Sequence, residues 1–335
     1  MEELKEGWRL ENLEENLEVI LDYRGKTPQK SEKGRVTLSA KSVKMGYIDY
    51  SNIYYVSEET YSKFMTRGLP KKGDILLTTE APLGCVAELK DDSVCLAQRL
   101  ITLRGKKEKL NNKYLLYYLQ SPRGQYELLS KATGTTVQGI KRTEFSKVKI
   151  LMPSLEKQNK IASILSSLDE KIELNRKINQ NLEEICQNYF LEIFIKNSNK
   201  NCSVGQISDL GNIVSGATPS KKNLKYYTNF GIPWITPKDL SKNFNKFISR
   251  GNLDITELGF KNSSVRLLPK GSVLFSSRAP IGYIAICSND VTTNQGFKSI
   301  VPFKNIGTEF VYYFLKNNIK SQVRFINRLD MNTSG

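Results

Sequence analysis

Asp74, Glu88 and Lys90 have the residue types and spacing for hydrolytic chemistry. Two carboxylates would hold Mg²⁺ and a lysine would steady the attacking water, as in a metal-dependent nuclease. Other routes to catalysis are closed. Histidine is absent from the chain, which removes the commonest general base and the imidazole metal ligand. The five cysteines, Cys85, Cys95, Cys186, Cys202 and Cys287, are odd in number and contain no CxxC pair, a usage that fits reduced thiols and argues against a zinc module. No metal centre is expected. Gly134 to Lys141 resembles a phosphate loop, but its lysine comes one residue late. Glu144 to Leu151 then alternates like a strand, where such a loop must open a helix. No GxSxG, HExxH or dinucleotide-binding glycine pattern occurs.

The elements that would position these residues occur twice. Residues 1 to about 150 contain short alternating apolar runs broken by Gly, Pro and Asn, the pattern of a β-rich domain with a few helices. The same signals return in the same order later in the chain. Arg24-Gly25-Lys26-Thr27-Pro28 is echoed by Ser215-Gly216-Ala217-Thr218-Pro219, and Gly34 to Val43 by Gly231 to Leu240. LPKKGDILLTTEAPLG (Leu69 to Gly84) pairs with LPKGSVLFSSRAPIG (Leu268 to Gly282) across a one-residue gap. Gln98-Arg99 falls opposite Gln295-Gly296, and KYLLYYLQ (Lys113 to Gln120) opposite EFVYYFLK (Glu309 to Lys316). Landmarks in one order mean a tandem duplication. The tyrosine pairs Tyr117-Tyr118 and Tyr312-Tyr313 lie inside apolar helical runs and read as core. In the duplication Asp74 and Glu88 fall opposite Ser272 and Ile286. The nuclease constellation therefore exists in one copy only and reads as ordinary strand and turn charge; a stand-alone Mg²⁺-dependent nuclease stays as the alternative to a binding protein.

Between the copies lies a stretch of another kind. Neither glycine nor proline occurs between Pro153 and Gly205, and Ile161, Leu165, Leu168, Ile172, Ile178, Leu182, Ile185, Tyr189 and Ile193 recur at helical steps. Ser154 is a candidate N-cap, and the polar run Asn197 to Asn201 closes the segment. A helix of roughly 40 residues spans roughly 60 Å, more than one domain needs for its own core. The apolar residues form a seam for a second helix, with Asn175 at the position where the heptad slips. The expected fold is α+β: a first β-rich domain over 1–152, one long coiled-coil-type helix over 153–197, and a second β-rich domain over 203–335. The second copy stops about where its own Gly-Thr-Thr turn would begin, so a second closing strand and second long helix are expected to be missing.

A length of 335 residues with 39% hydrophobic residues suits two ordinary globular cores. No 18-residue apolar run exists, and MEELKEGWRL is polar and acidic where a signal peptide is basic and then apolar, so a cytoplasmic protein without membrane contact is expected. The net charge of +16 makes nucleic acid a candidate partner, tempered by a lysine usage that a lysine-rich genome alone would inflate. The turns Ala81-Pro82-Leu83-Gly84 and Ala279-Pro280-Ile281-Gly282 have different flanks, Thr78, Thr79 and Glu80 in one copy and Ser276, Ser277 and Arg278 in the other. Hydroxyls and charged tips beside a fixed turn are what base-edge readout would vary. Candidate phosphate contacts are Arg24, Lys26, Lys30, Lys33, Arg35, Lys41, Lys44, Lys141 and Arg142, with Lys221, Lys222, Lys225, Lys238, Lys242 and Lys246 in the second copy.

With the duplication in view, the APxG turns, TNQGFKSI, GTTVQGIKR and PSLEKQNKIASIL make the chain resemble the DNA specificity subunits of bacterial type I restriction–modification systems over nearly its whole length. That resemblance implies two target-recognition domains, each reading half of a split site on double-stranded DNA, held apart by long helices that pair antiparallel. It implies a subunit that catalyses nothing and docks modification (methyltransferase) subunits. S-adenosylmethionine would belong to those, and ATP and Mg²⁺ to the restriction (translocase and nuclease) subunits. Without a second long helix, the seam Ile161, Leu165, Leu168, Ile172, Ile178, Leu182, Ile185 and Tyr189 would seek a helix from a second copy or from a modification subunit. The chain would then work by association, or be an inactive cassette.

Overall fold

A computed structural model describes residues 6–23, 25, 27–134, 137–196, 205–243, 245–278 and 281–318. The chain divides into two compact units, Met1–Lys177 and Ile178–Gly335, and the division falls inside the long helix Leu155–Leu191.

In the first unit an antiparallel sheet has the order Leu17–Asp22, Leu100–Gly105, Ile75–Thr79, Leu83–Glu88. A smaller sheet sets Arg35–Leu38 between Tyr54–Val56 and Cys95–Leu96, the last pair running parallel. Alternation along Ile75–Thr79 sends Ile75 and Leu77 into one apolar cluster and Leu76 into another, so the strand is buried on both faces. The helix Asn112–Gln120 closes the first cluster with Tyr114, Leu115, Tyr118 and Leu119. Tyr117 lies at its edge, its hydroxyl donating to Asp169 on the long helix at 2.8 Å. Of Glu144 to Leu151, expected as one strand, the start is a helical turn, Arg142–Phe145, and only Lys149–Met152 is extended. Phe145 and Val148 are core residues that a helical turn followed by a bend buries as well as alternation would.

The second unit repeats this frame. Its larger sheet has the order Gly211–Ser215, Lys298–Pro302, Val273–Phe275, Ile284–Cys287, with Phe247–Ile248 added at the edge. Its smaller sheet again pairs a strand, Ile232–Ile235, in parallel with a short one, Thr292–Thr293. The duplication extends to single hydrogen bonds. Leu89 N donates to Asp74 O at 2.8 Å and Cys287 N to Ser272 O at 2.9 Å; Ala97 N donates to Leu38 O at 2.8 Å and Asn294 N to Ile235 O at 3.1 Å. Tyr312 and Tyr313, on the helical residues 308–318, are buried with Phe190 of the long helix.

The long helix meets each unit through a few residues. Gln158 and Ala162 are buried in the first unit and Ile161 packs against its core. In the second unit Glu183 takes Lys316 and the Tyr313 hydroxyl, and Phe190 enters the core. Leu168, Ile172, Ile178, Leu182, Ile185 and Tyr189 stay 44 to 62% exposed.

Candidate nucleic-acid interface

The hairpin Ile75–Thr79 to Leu83–Glu88 presents the turn Glu80-Ala81-Pro82 at one end of the larger sheet. A register shift between Leu77 and Thr79 tightens the strand at that end. Two main-chain bonds pin the turn to its neighbours: Thr79 N donates to Arg99 O, and Ile140 N to Thr79 O, each at 2.9 Å. Two concavities result. One, of about 660 Å³, is bounded by Thr79, Glu80, Gln98, Arg99, Gly139 and Lys141; the other, of about 400 Å³, by Lys30, Ala40, Lys41, Tyr54, Gln98 and Arg99. Gln98 and Arg99 border both. The guanidinium of Arg99 lies 3.5 Å from the Glu80 carboxylate, and both groups are substantially exposed.

The second unit builds the same corner. Ser277 N donates to Gly296 O at 2.8 Å, as Thr79 N does to Arg99 O. Tyr283 N donates to Ser276 Oγ at 2.8 Å, matching Cys85 N to Thr78 Oγ1 at 2.9 Å. The Thr218 hydroxyl donates to the Gln295 side chain, tying the Ser215-to-Pro219 loop to this corner.

The expected contact residues divide sharply. Thr78, Thr79, Ser276 and Ser277 were expected to face DNA, but all four are buried. Thr78 and Ser276 accept from main-chain N–H groups of their hairpins, and Ser277 Oγ donates to Gly296 O at 3.3 Å. The hydroxyls hold the turn's shape. Arg142 is also withdrawn, clasping Glu14 with two guanidinium nitrogens and holding its carboxyl below the usual range. Arg35 is engaged by Glu58 and stacks over Tyr61, and Lys246 pairs with Glu309 among Tyr312 and Tyr313. Glu80, Lys41, Lys141, Lys221, Lys222, Lys238 and Arg278 are exposed or at the cavity rims. Arg24 and Lys26 lie outside the described residues. Gln98 and Arg99 were visible as a landmark of the duplication, yet nothing in sequence marked them as lining a cavity.

The nuclease constellation does not assemble. Asp74, 1% exposed, accepts from Arg104 Nε at 2.6 Å, from a second guanidinium nitrogen at 2.7 Å and from Lys71 N at 2.8 Å. Glu88 lies across from Ile75, one residue out of step with Asp74, and is paired with Lys90. Burial pushes the Cys95 thiol up to about 11 and that of Cys287 to about 12, so neither is a nucleophile at neutral pH. No helix among the described residues is long and apolar enough to cross a membrane.

Residues 5–184 and 199–333 match the family described as type I restriction modification DNA specificity domain. The MjaIX type I restriction enzyme specificity subunit of Methanocaldococcus jannaschii is 46% identical over 133 residues, which are 40% of this chain and 31% of that relative. The HindI specificity subunit of Haemophilus influenzae is 24% identical over 275 residues, 61% of this chain and 59% of the relative. The chain thus spans less than two thirds of either. A crystal structure of a type I restriction-modification system S subunit from M. genitalium shares the fold, with a TM-score of 0.60 at 16% identity over 98% of this chain and 82% of that one.

Proposed function

The chain belongs to the type I restriction modification DNA specificity family, and from that premise we propose that each of its two units reads one half of a bipartite site on double-stranded DNA. The observation that carries this is the corner built twice on the same main-chain bonds, with Glu80 and Arg99 at its tips in one copy and Arg278 at its tip in the other, where Gly296 is buried. A constant frame with variable tips is what two reading heads of different specificity require, because main-chain and lysine contacts to phosphate set position while side-chain tips address base edges. Lys41 and Lys238 occupy matching places in the two frames and are exposed in both, as sequence-independent phosphate contacts would be.

Catalysis belongs elsewhere in such an assembly. Modification subunits supply methyl transfer with S-adenosylmethionine, and restriction subunits use ATP and Mg²⁺. The seam from Leu168 to Tyr189 is the docking surface for another helix, from a second copy of the chain or from a modification subunit. Its support is the exposed apolar residues at i, i+3 and i+4 on a helix that touches each unit through other positions.

The test is the methylation motif written by the chain with its modification subunit. Arg278→Ala should change one half-site and leave the other intact. An unchanged motif would sink the placement of the second reading head at Ser276 to Gly282.

A further inference from the structure

We infer that Arg99, oriented by Glu80, is the guanine-reading residue of the first unit; this rests on the DNA-reading function proposed above. Arg99 stands where both concavities meet, and it is a non-glycine residue at φ 63°, a region that side chains rarely adopt. Its carbonyl is fixed by Thr79 N, so the backbone that aims the guanidinium is determined by the sheet.

The second unit holds the matching position differently. A side chain at Gly296 would bring its Cβ to 2.9 Å from Pro237 Cγ and 3.0 Å from Asn294 Oδ1. By the shared hydrogen-bond frame, Ala40 stands in the place of Pro237 and Ala97 in that of Asn294. Gly296 is buried, does not share the left-handed backbone of Arg99 and donates its N–H to Asn294 Oδ1 at 2.9 Å, a bond Ala97 cannot supply, so the second unit displays no side chain at this position. The exchange is completed across the corner, where Arg278 occupies the site of Glu80. Each unit thus presents one arginine at this corner, delivered from opposite walls.

Phosphate is the rival ligand, and Glu80 argues against it. A carboxylate 3.5 Å from the guanidinium repels a phosphate oxygen, whereas a base edge carries no net charge. The carboxylate also steers the planar fork, leaving its remaining N–H groups for the paired O6 and N7 acceptors of guanine. Lys41 and Lys141 border the two concavities on either side of Arg99 and supply the cations for the backbone.

The experiment selects from a randomised duplex library with the full chain, wild type and as Arg99→Ala, Arg99→Lys and Glu80→Gln, with binding of the selected site measured over a range of salt. Arg99→Lys keeps the charge and loses the fork. The inference expects a wild-type motif with guanine at one position of one half-site. Both Arg99 variants then lose roughly ten- to a hundredfold discrimination at that position alone, Glu80→Gln blurs the same position, and the salt slope of Arg99→Lys is unchanged. A motif unaltered in the Arg99 variants would overturn the inference while leaving the DNA-reading function standing. So would Arg99→Ala weakening all duplexes alike with a slope reduced by about one, the behaviour of a phosphate contact. A wild-type chain that selects no sequence would overturn the DNA-reading function itself and this inference with it.

Discussion

Replacing Asp74 by serine should destabilise the first unit strongly, and replacing Arg104 by valine as well should restore most of the loss. The second unit supplies both substitutions. The strand registers place Ser272 opposite Asp74 and Val301 opposite Arg104, since Ile75 pairs with Leu103 where Val273 pairs with Ile300. Asp74 is 1% exposed, and the Arg104 side chain 15%. Removing one partner of such a pair strands a buried charge and costs about 3–5 kcal/mol, whereas exchanging both for residues that pack is often neutral. In Asp74→Ser the bond from Lys71 N is lost too. Native-state hydrogen exchange resolves the units separately. Amides of Ile75–Thr79 should open roughly a hundred- to a few-thousandfold more readily in Asp74→Ser, while those of Val273–Phe275 stay unchanged. In Asp74→Ser/Arg104→Val most of the protection should return. If the two substitutions simply add, with coupling below about 0.5 kcal/mol, the pair is not the structural unit described and Asp74 has some other reason to be buried.

Four further outcomes follow from the geometry. Burial alone would raise the Glu183 carboxyl, but bonds from Lys316 and Tyr313 outweigh it and leave the group below its ordinary 4.5. Its contribution is therefore present above pH 4.5 and lost as pH falls through the depressed folded value, and thermal melting of the second unit should decline there in wild type and less in Glu183→Gln. Leu182→Glu, at a residue 53% exposed, should leave chain stability within about 0.5 kcal/mol yet abolish helix-mediated association in light scattering; retained association would remove the seam from the assembly. Gly34 has φ +132° and a Cβ there would meet Val56 O at 2.1 Å, so Gly34→Ala should cost about 3 kcal/mol or more. Gly7→Ala, at φ +79° with nothing within 4 Å, should cost about 1 kcal/mol.

The duplication, the long helix and the burial of Tyr118, Tyr312 and Tyr313 were legible in the sequence because period and order are properties of the chain itself. The roles of Thr78, Thr79, Ser276 and Ser277 were not. Their polarity suggested a surface, whereas the hairpin needs hydroxyl acceptors and donors inside the turn, and local hydrogen bonding of Ser and Thr to main chain outweighs their solvation. Asp74 was read as ordinary strand and turn charge, but its partner was not legible: Arg104 lies thirty residues on, and only strand register brings them together. Arg99 was hidden because its importance depends on what surrounds it, Glu80 on the neighbouring hairpin and the two concavities it borders, and no spacing rule encodes a concavity.

The corner is held by backbone, Thr79 N to Arg99 O in one copy and Ser277 N to Gly296 O in the other. A bond between main-chain groups is indifferent to which side chain follows it. The residue that follows Thr79 or Ser277 is therefore free to change identity, even sign, as Glu80 and Arg278 do, while the folding of the domain that displays it is left alone. On the DNA-reading function proposed above, such a scaffold separates the alphabet from the page: new target sequences are reachable by single substitutions at that exposed position, each a small step for stability and a large one for which duplexes are recognised.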